Sequence, residues 1–381
     1  AASGAARMNP PTATDVKTVT LTIDGRQVTV PEGTTVWEAA RELGIEIPVL
    51  CHEPDLRPVG VCRMCAVEVK GARTLPASCV HPCAEGMEVH TRSPLVQKHR
   101  KVLTELLLAE QPYTSRRHEQ TGDDALADLA DELDADAFRW PAGETRPSDA
   151  SSPVITVDHQ ACILCDRCIR ACTDLKHNDV IGRTGKGYEA RISFDLDTPM
   201  GDSTCVECGE CVAACPTSAL TNKVITVRPR AGVHLEKVDS VCPYCGVGCA
   251  LTYHVDKEAN KVVFAEGRAP SGNDGRLCVK GRYVVDYETH PHSLTKPLIL
   301  KEAHYPKQPL SEHMQGAMGK RRGKEGIYRD YQATLDAFRE ATWEEALDLV
   351  ASKLAAIRDE HGPDALAGFG SAKCTNEEAY L

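Results

Sequence analysis

The sequence predicts an α+β chain of several small modules, each organised by a set of cysteines rather than by one large core. Three observations carry this. Sixteen of the eighteen cysteines fall into four groups at ligand spacing, leaving only Cys83 and Cys374 over. Aromatic residues make up only 5% of the 381, thin for a single large core, and bound metal clusters can supply the missing cohesion. Strand alternation and helix-capping signals come in short bursts, separated by stretches rich in Pro and Gly. Thiolate sulfur at regular C-x-x-C spacing suits iron–sulfur clusters, so the chain reads as an electron wire.

The charge balance excludes some classes. Lys and Arg number 44 against 55 Asp and Glu, a formal charge of −11. That argues against nucleic acid as the main partner, because phosphate recognition needs basic surface. No apolar run approaches the roughly 18–20 residues that span a bilayer. Ala1 to Pro11 is small and polar, without an apolar signal core or twin arginine. The expectation is a cytoplasmic chain with reduced thiols rather than disulfides. Residues 1–14 are expected to be disordered. A start without Met, with Met8 inside, hints at a processed or engineered end.

The first module is expected over residues 15–92. Thr18 to Ile23 alternates apolar and polar residues, Asp24-Gly25 is a hairpin turn, and Gln27 to Val30 returns. Thr35 and Glu38 form a capping box for a helix that stops at Gly44. Cys51, Cys62, Cys65 and Cys79 then follow. Only one close pair occurs here, whereas zinc ribbons prefer two. The layout resembles a β-grasp ferredoxin holding a [2Fe–2S] cluster, with Gly60 where a side chain would crowd the sulfur.

Residues 93–136 are expected to be helical. Leu95 to Glu110 places Val102, Leu103, Leu106 and Leu107 on one side. The next stretch resembles the His-x3-Cys-x2-Cys-x5-Cys segment of the large electron-transfer subunit of NADH:quinone oxidoreductase. It also occurs in [FeFe] hydrogenases and NAD-linked formate dehydrogenases. Here Gln111, Ser115, His118 and Asp124 stand at those positions. Every ligand is replaced, and no cluster is expected. His118 reads as a solvated histidine, and Asp124 with the Leu126, Leu129 and Leu133 stripe reads as scaffold. Residues 137–153, rich in Pro, Gly, Ser and Asp, read as a linker.

Residues 154–228 repeat a motif. Cys162, Cys165, Cys168 and Cys172 are followed by Cys205, Cys208, Cys211 and Cys215 at the same spacing. This is the bacterial two-cluster ferredoxin run, in which the fourth cysteine crosses to the other [4Fe–4S] cluster. The implied sets are Cys162, Cys165, Cys168 with Cys215, and Cys205, Cys208, Cys211 with Cys172. Pro216 follows the second run, but Thr173 follows the first. Gly182, Gly185 and Gly187 between the runs suggest a hairpin insertion. A phosphate loop is discounted, since no strand–loop–helix with Lys-Ser/Thr follows.

Residues 236–290 hold Cys242, Cys245, Cys249 and Cys278. Ala250 to Tyr253 and Lys261 to Phe264 read as a hairpin between them. The pattern resembles the N-terminal [4Fe–4S] domain of bis-molybdopterin-guanine-dinucleotide (bis-MGD) oxidoreductases of molybdenum or tungsten. Lys280 matches the lysine that lies between cluster and pterin in that family, implying an electron relay and cofactor contact. The alternative is a surface lysine. Residues 291–381 read as a truncated α/β start of the molybdopterin-binding domain. Thr295 to Ile299 resembles the family, and His304 to Arg329 looks like a loop insertion. Thr342 and Glu345 should cap a helix running to about Glu360, with Trp343, Ala346, Leu347, Val350 and Leu354 buried. Asp364 to Gly370 reads as a strand and Ser371 to Leu381 as the start of a helix. Cys374 reads as a pterin-pocket neighbour or an ordinary buried thiol, and Cys83 as incidental.

The segment Gly370 to Tyr380 resembles the α-subunit of formate dehydrogenase. The resemblance implies the electron-transfer part of a catalytic subunit that oxidises formate to CO2, or runs in reverse. It also implies a flavin-containing, NAD-reducing partner subunit. Molybdenum or tungsten bis-MGD, and the metal-ligating Cys or selenocysteine, are expected only in a longer chain. The rival resemblances are the complex I large subunit and a stand-alone multi-cluster carrier. Metal analysis should find about 14 iron atoms per chain, one two-iron and three four-iron clusters. A value near 18 would place a cluster at the erased site.

Overall fold

In the computed structural model of this chain, Thr18–Ile23 (β1) and Arg26–Pro31 (β2) pair antiparallel in continuous register. Asp24 and Gly25 between them both take positive φ (46° and 78°), the left-handed pair that a tight hairpin turn needs. The structure describes residues 17–112, 115–223, 235–285, 287–290, 293–304 and 335–370. They form two units dividing after Val285.

The first unit begins with the expected β-grasp layout. Val36–Glu42 (α1) opens on the reciprocal Thr35/Glu38 capping box. Glu68–Val69 (β3) and Glu88–His90 (β4) complete a sheet of order β2-β1-β4-β3, with β4 parallel to β1. Leu21, Ile23, Val30, Val36 and Val89 close the core, which also takes in Cys83. Gly60 has φ 63°, but an added Cβ would meet Val80 at 3.0 Å, so its crowding comes from a side chain rather than from sulfur.

Pro94–Leu108 (α2) buries a different face from the one its leucines suggest. Val96, Arg100, Thr104 and Glu105 face inward, while Leu106 is exposed. The reason is polar. Arg100 donates to the Met64 and Ala66 carbonyls, and Glu105 pairs with Arg139 at 2.6 Å. Leu103, Leu107, Leu126 and Leu129 still meet Leu50 and Met64 in a second small core. Arg116–Gln120 (α3) and Ala125–Glu132 (α4) follow, capped by Ser115 and Asp124.

Part of the expected linker is structured. Ser148–Asp149 (β5) forms the edge of a sheet of order β5-β6-β9 with Ile155–Asp158 (β6) and Leu220–Asn222 (β9). Arg167–Arg170 (α5) runs into a π turn over Ala171–Leu175. Ile181–Thr184 (β7) and Arg191–Phe194 (β8) form the hairpin that the glycines suggest. Glu210–Ala214 (α6) carries the end of the second cysteine run. Glu236–Val241 (β10), a strand the sequence reading missed, joins Ala250–Asp256 (β11) and Lys261–Gly267 (β12). Val279–Tyr283 (α7) closes the unit.

In the second unit, Leu298–Leu300 (β13) pairs with Phe338–Glu340 (β14), and Trp343–His361 (α8) opens on Thr342. The predicted stripe lies on this helix, but α8 buries none of its residues, and Trp343 is 68% exposed. Residues 364–370 are no strand. A 3₁₀ turn at Pro363–Ala365 leads into irregular chain, and among the described residues no strand pairs with it. Residues 1–14, most of His304 to Arg329, and Ser371 to Leu381 with Cys374 lie outside the described residues.

Leu21 is 1% exposed at the centre of the β-grasp core. Leu21→Ala should destabilise that module by about 2–5 kcal/mol. Denaturant unfolding followed by Trp37 fluorescence, with Trp140 and Trp343 replaced by Phe, measures it.

Candidate metal centres

The two cysteine runs share one backbone solution. In the first, Leu164 and Asp166 take positive φ (53° and 59°), two and four residues after Cys162. In the second, Glu207 and Gly209 do the same (54° and 73°), two and four after Cys205. Alternating left-handed residues turn successive N–H groups to one side, making a concavity for anions. The Glu207 N–H already points at Cys205 Sγ, 3.4 Å away. Sequence reasoning found the thiols but missed this cradle. Three of its four turning residues are not glycine, so only Gly209 carried a visible signal.

Cys162, Cys165, Cys168 and Cys215 line one cavity, with Ile192, Thr217 and Leu220 between them. Burial pushes the Cys168 thiol well up, and the neighbouring charges of Cys165, Cys162 and Cys215 add to it. Cys211 is raised likewise, first by burial and then by Cys208, Cys205 and Cys172. Cys215 borders the cavity of the first three thiols, and the Cys172 charge is one of those that raise Cys205 and Cys211. Four buried acids in one place suppress each other's ionisation, and a positively charged metal core relieves that penalty. Among the described residues, no three His, Cys, Asp or Glu side chains close tightly enough for a single metal ion. Cys162, Cys165, Cys168 and Cys215 border a shared cavity instead.

The Cys51 group is also buried. Cys65 and Cys79 approach to 3.3 Å between sulfurs, and the Cys62 N–H faces Cys51 Sγ at 3.5 Å. Hydrogen bonding from Cys51 holds Cys62 down at about 6, and Cys79 does the same for Cys65, at about 7. In the fourth group Cys242 is buried, while Cys245 and Cys278 are exposed. Burial raises Cys242, followed by the charges of Cys249, Cys278 and Cys245. Gly281 leaves room for this set, since a Cβ there would lie 3.3 Å from Cys242 Sγ. Lys280 stands exposed on α7, two residues after Cys278. Cys83 belongs to none of these groups. It is buried in the β-grasp core, and burial raises its thiol to about 11.

The four positions of the erased site have different fates. The Ser115 hydroxyl lies 2.6 Å from both Asp124 Oδ2 and the Ser218 hydroxyl, three residues past Cys215. His118 is exposed on α3. Gln111 borders the same cavity as Ser115 and Asp124. Nearby, Arg117 donates to the Val212 carbonyl at 2.7 Å, so this segment braces the ferredoxin module.

The ferredoxin module also docks on the fourth group. Glu210, 7% exposed, faces Lys176 at 3.2 Å, Arg276 at 3.5 Å and Arg282 at 3.7 Å. Arg282 also donates to the Cys208 carbonyl at 3.1 Å.

Family comparison agrees with this architecture. Residues 16–94 match the 2Fe-2S iron-sulfur cluster binding domain, and 161–220 the 4Fe-4S dicluster domain. Residues 235–290 match the molybdopterin oxidoreductase Fe4S4 domain, and 322–381 the molybdopterin oxidoreductase family itself. The chain carries the iron–sulfur domains of a molybdopterin oxidoreductase. These domains account for one [2Fe–2S] and three [4Fe–4S] clusters. The NADPH-Fe(3+) oxidoreductase subunit alpha of Geobacter sulfurreducens is 32% identical over 95% of this chain, which spans 38% of that protein. A Staphylococcus aureus protein provisionally assigned as a formate dehydrogenase is 25% identical over 95% of this chain and 37% of its own length. A solved NAD+-reducing [NiFe]-hydrogenase in the H2-reduced state matches with a TM-score of 0.50 and 31% identity, over 54% of this chain and 87% of that one. Among the described residues, no helix is long and apolar enough to cross a membrane.

Gly209 and Gly122 both have positive φ, but only at Gly209 would a Cβ collide, 2.3 Å from Arg282 Cδ and Tyr283 Oη. Gly209→Ala should therefore cost about 1–3 kcal/mol more than Gly122→Ala. Thermal unfolding of the two variants, compared side by side, measures the difference.

Proposed function

We propose that this chain is the electron-transfer part of a formate dehydrogenase catalytic subunit of the molybdopterin type. The observation that carries the reading is four thiol sets within one compact unit, ending on the Fe4S4 domain that precedes the molybdopterin domain. Formate oxidation to CO2 releases two electrons and a proton, and NAD+ reduction takes up the same. Iron–sulfur clusters, when bound, supply the one-electron steps between such two-electron sites.

The chain's residues would divide this work by position. Cys242, Cys245, Cys249 and Cys278 hold the cluster nearest the formate site, with Lys280 as electron relay toward the pterin. Cys205, Cys208, Cys211 with Cys172, and Cys162, Cys165, Cys168 with Cys215, hold the middle pair. Cys51, Cys62, Cys65 and Cys79 hold the [2Fe–2S] outlet toward a flavin-bearing, NAD-reducing partner. Molybdenum or tungsten bis-MGD belongs to the longer protein, which we place in the cytoplasm. A second reading, electron entry from a reduced pyridine nucleotide, is favoured by the higher identity to the NADPH-linked relative than to the formate-type one.

Two measurements test this. Cys215→Ser should perturb the same cluster EPR signal as Cys162→Ser, and Cys172→Ser the same signal as Cys205→Ser. Pairing within each run would give the opposite. In the full-length enzyme with its partner, formate should reduce the clusters, and Lys280→Met should slow that reduction at least tenfold while leaving dithionite reduction unchanged. Clusters that respond to NADPH but not to formate would establish the second reading instead.

A further inference from the structure

Arg170 lies inside the first cysteine run, between Cys168 and Cys172, and is 3% exposed. Among the described residues its guanidinium donates only to backbone carbonyls. Nη2 reaches Cys51 O at 2.5 Å and Cys165 O at 3.2 Å. Nη1 reaches Arg57 O at 2.5 Å, and Nε reaches Asp166 O at 3.2 Å. One nitrogen therefore joins a cysteine of the β-grasp module to a cysteine of the ferredoxin module.

The cation lacks a visible counter-charge. A buried charge is costly unless an opposite charge accompanies it. Among the described residues no carboxylate pairs with Arg170. The acids close by are taken: Glu53 pairs with Arg167 at 2.5 Å, and Asp166 with Arg183 at 2.6 Å. Arg282, the comparable arginine at the other joint, does have a carboxylate, Glu210. Two of the carbonyls that hold Arg170 belong to cysteines of neighbouring sets, Cys51 of one and Cys165 of the other. Four thiolates around an iron–sulfide core leave a net negative charge.

We propose that Arg170 is the shared counter-charge of the clusters held by these two sets, and that it raises both reduction potentials together. The inference rests on the ligand sets proposed above. Adding an electron makes a cluster more negative, so a fixed cation beside it favours the reduced form. Arg170 is a positioning residue that also sets the outlet's potential relative to its donor.

The test is potentiometric EPR titration of the loaded full chain. At an ambient potential near the wild-type midpoint, Arg170→Gln should lower the reduced-to-oxidised ratio of both clusters at least tenfold, about 59 mV for a one-electron couple. Arg170→Lys keeps the charge and should stay within threefold of wild type. An R170Q protein with full iron whose ratios move less than tenfold, or in only one of the two clusters, overturns the proposal. If R170Q does not retain iron, R170K decides: a shift beyond threefold overturns the role of charge, and a smaller one supports it. Wild-type protein without the [2Fe–2S] and [4Fe–4S] signals would instead sink the electron-transfer reading itself.

Discussion

Burying thiols beside one another is the constraint on which the first unit depends. A lone buried thiol behaves like Cys83, a small hydrophobe that stays protonated. Grouped thiols are different, because each that ionises makes the next harder to ionise. At Cys168 and Cys211 burial raises the thiol first, and the charges of the neighbouring cysteines add to it. Metal binding turns the penalty into cohesion, since the ligands' negative charge becomes bond energy. This is how modules with sheets of two to four short strands hold together with so little aromatic core.

The same chemistry governs how modules meet. Apolar contact between them is made in small clusters: Leu56 meets Ala171 and Ala214, Ile163 packs with Leu50 and Met64, and Tyr283 joins the ferredoxin core. Buried arginines do more. Arg170 and Arg282 each donate to the carbonyl of a cysteine in the neighbouring module. Carbonyl acceptors lock position without neutralising charge, so a buried guanidinium remains a cation in the field of the thiols. Glu210 answers that charge at one joint and nothing comparable does at the other. The two joints thus differ electrostatically while sharing one mechanical device, and a difference of that kind can grade potentials along a wire.

Legibility in the sequence followed the range of the interaction. The hairpin at Asp24-Gly25, the Thr35/Glu38 box and the β7–β8 hairpin are local, and their residues announce them. The thiol groups are legible because ligand spacing is also local, within each run. Long-range features were not. The α2 leucine stripe found only part of the buried face: Leu103 and Leu107 pack, but Arg100 and Glu105 are buried beside them by partners at Met64, Ala66 and Arg139, far along the chain. Strand β10 gave no alternation to read, its exposure being nearly uniform. Residues 364–370 looked like a strand, but a strand exists only with a neighbour to bond.

Ser115 and Asp124, at positions where the resembled segment carries cluster ligands, are held by hydrogen bonds. Thiolates at positions 111 to 124 would have tied α3, α4 and the chain between them to an iron core. Ser115 and Asp124 now bond to each other, each caps a helix, and Ser115 reaches Ser218 beside the second run. Short polar side chains suit this replacement, because a hydroxyl or carboxylate near its own backbone can satisfy helix N–H groups that no cluster now organises. Arg117 adds a bond to the Val212 carbonyl. The segment keeps its place through these hydrogen bonds and through the small core that Leu126 and Leu129 share with Ile163. It braces the neighbouring thiol set from the Ser218 and Val212 side.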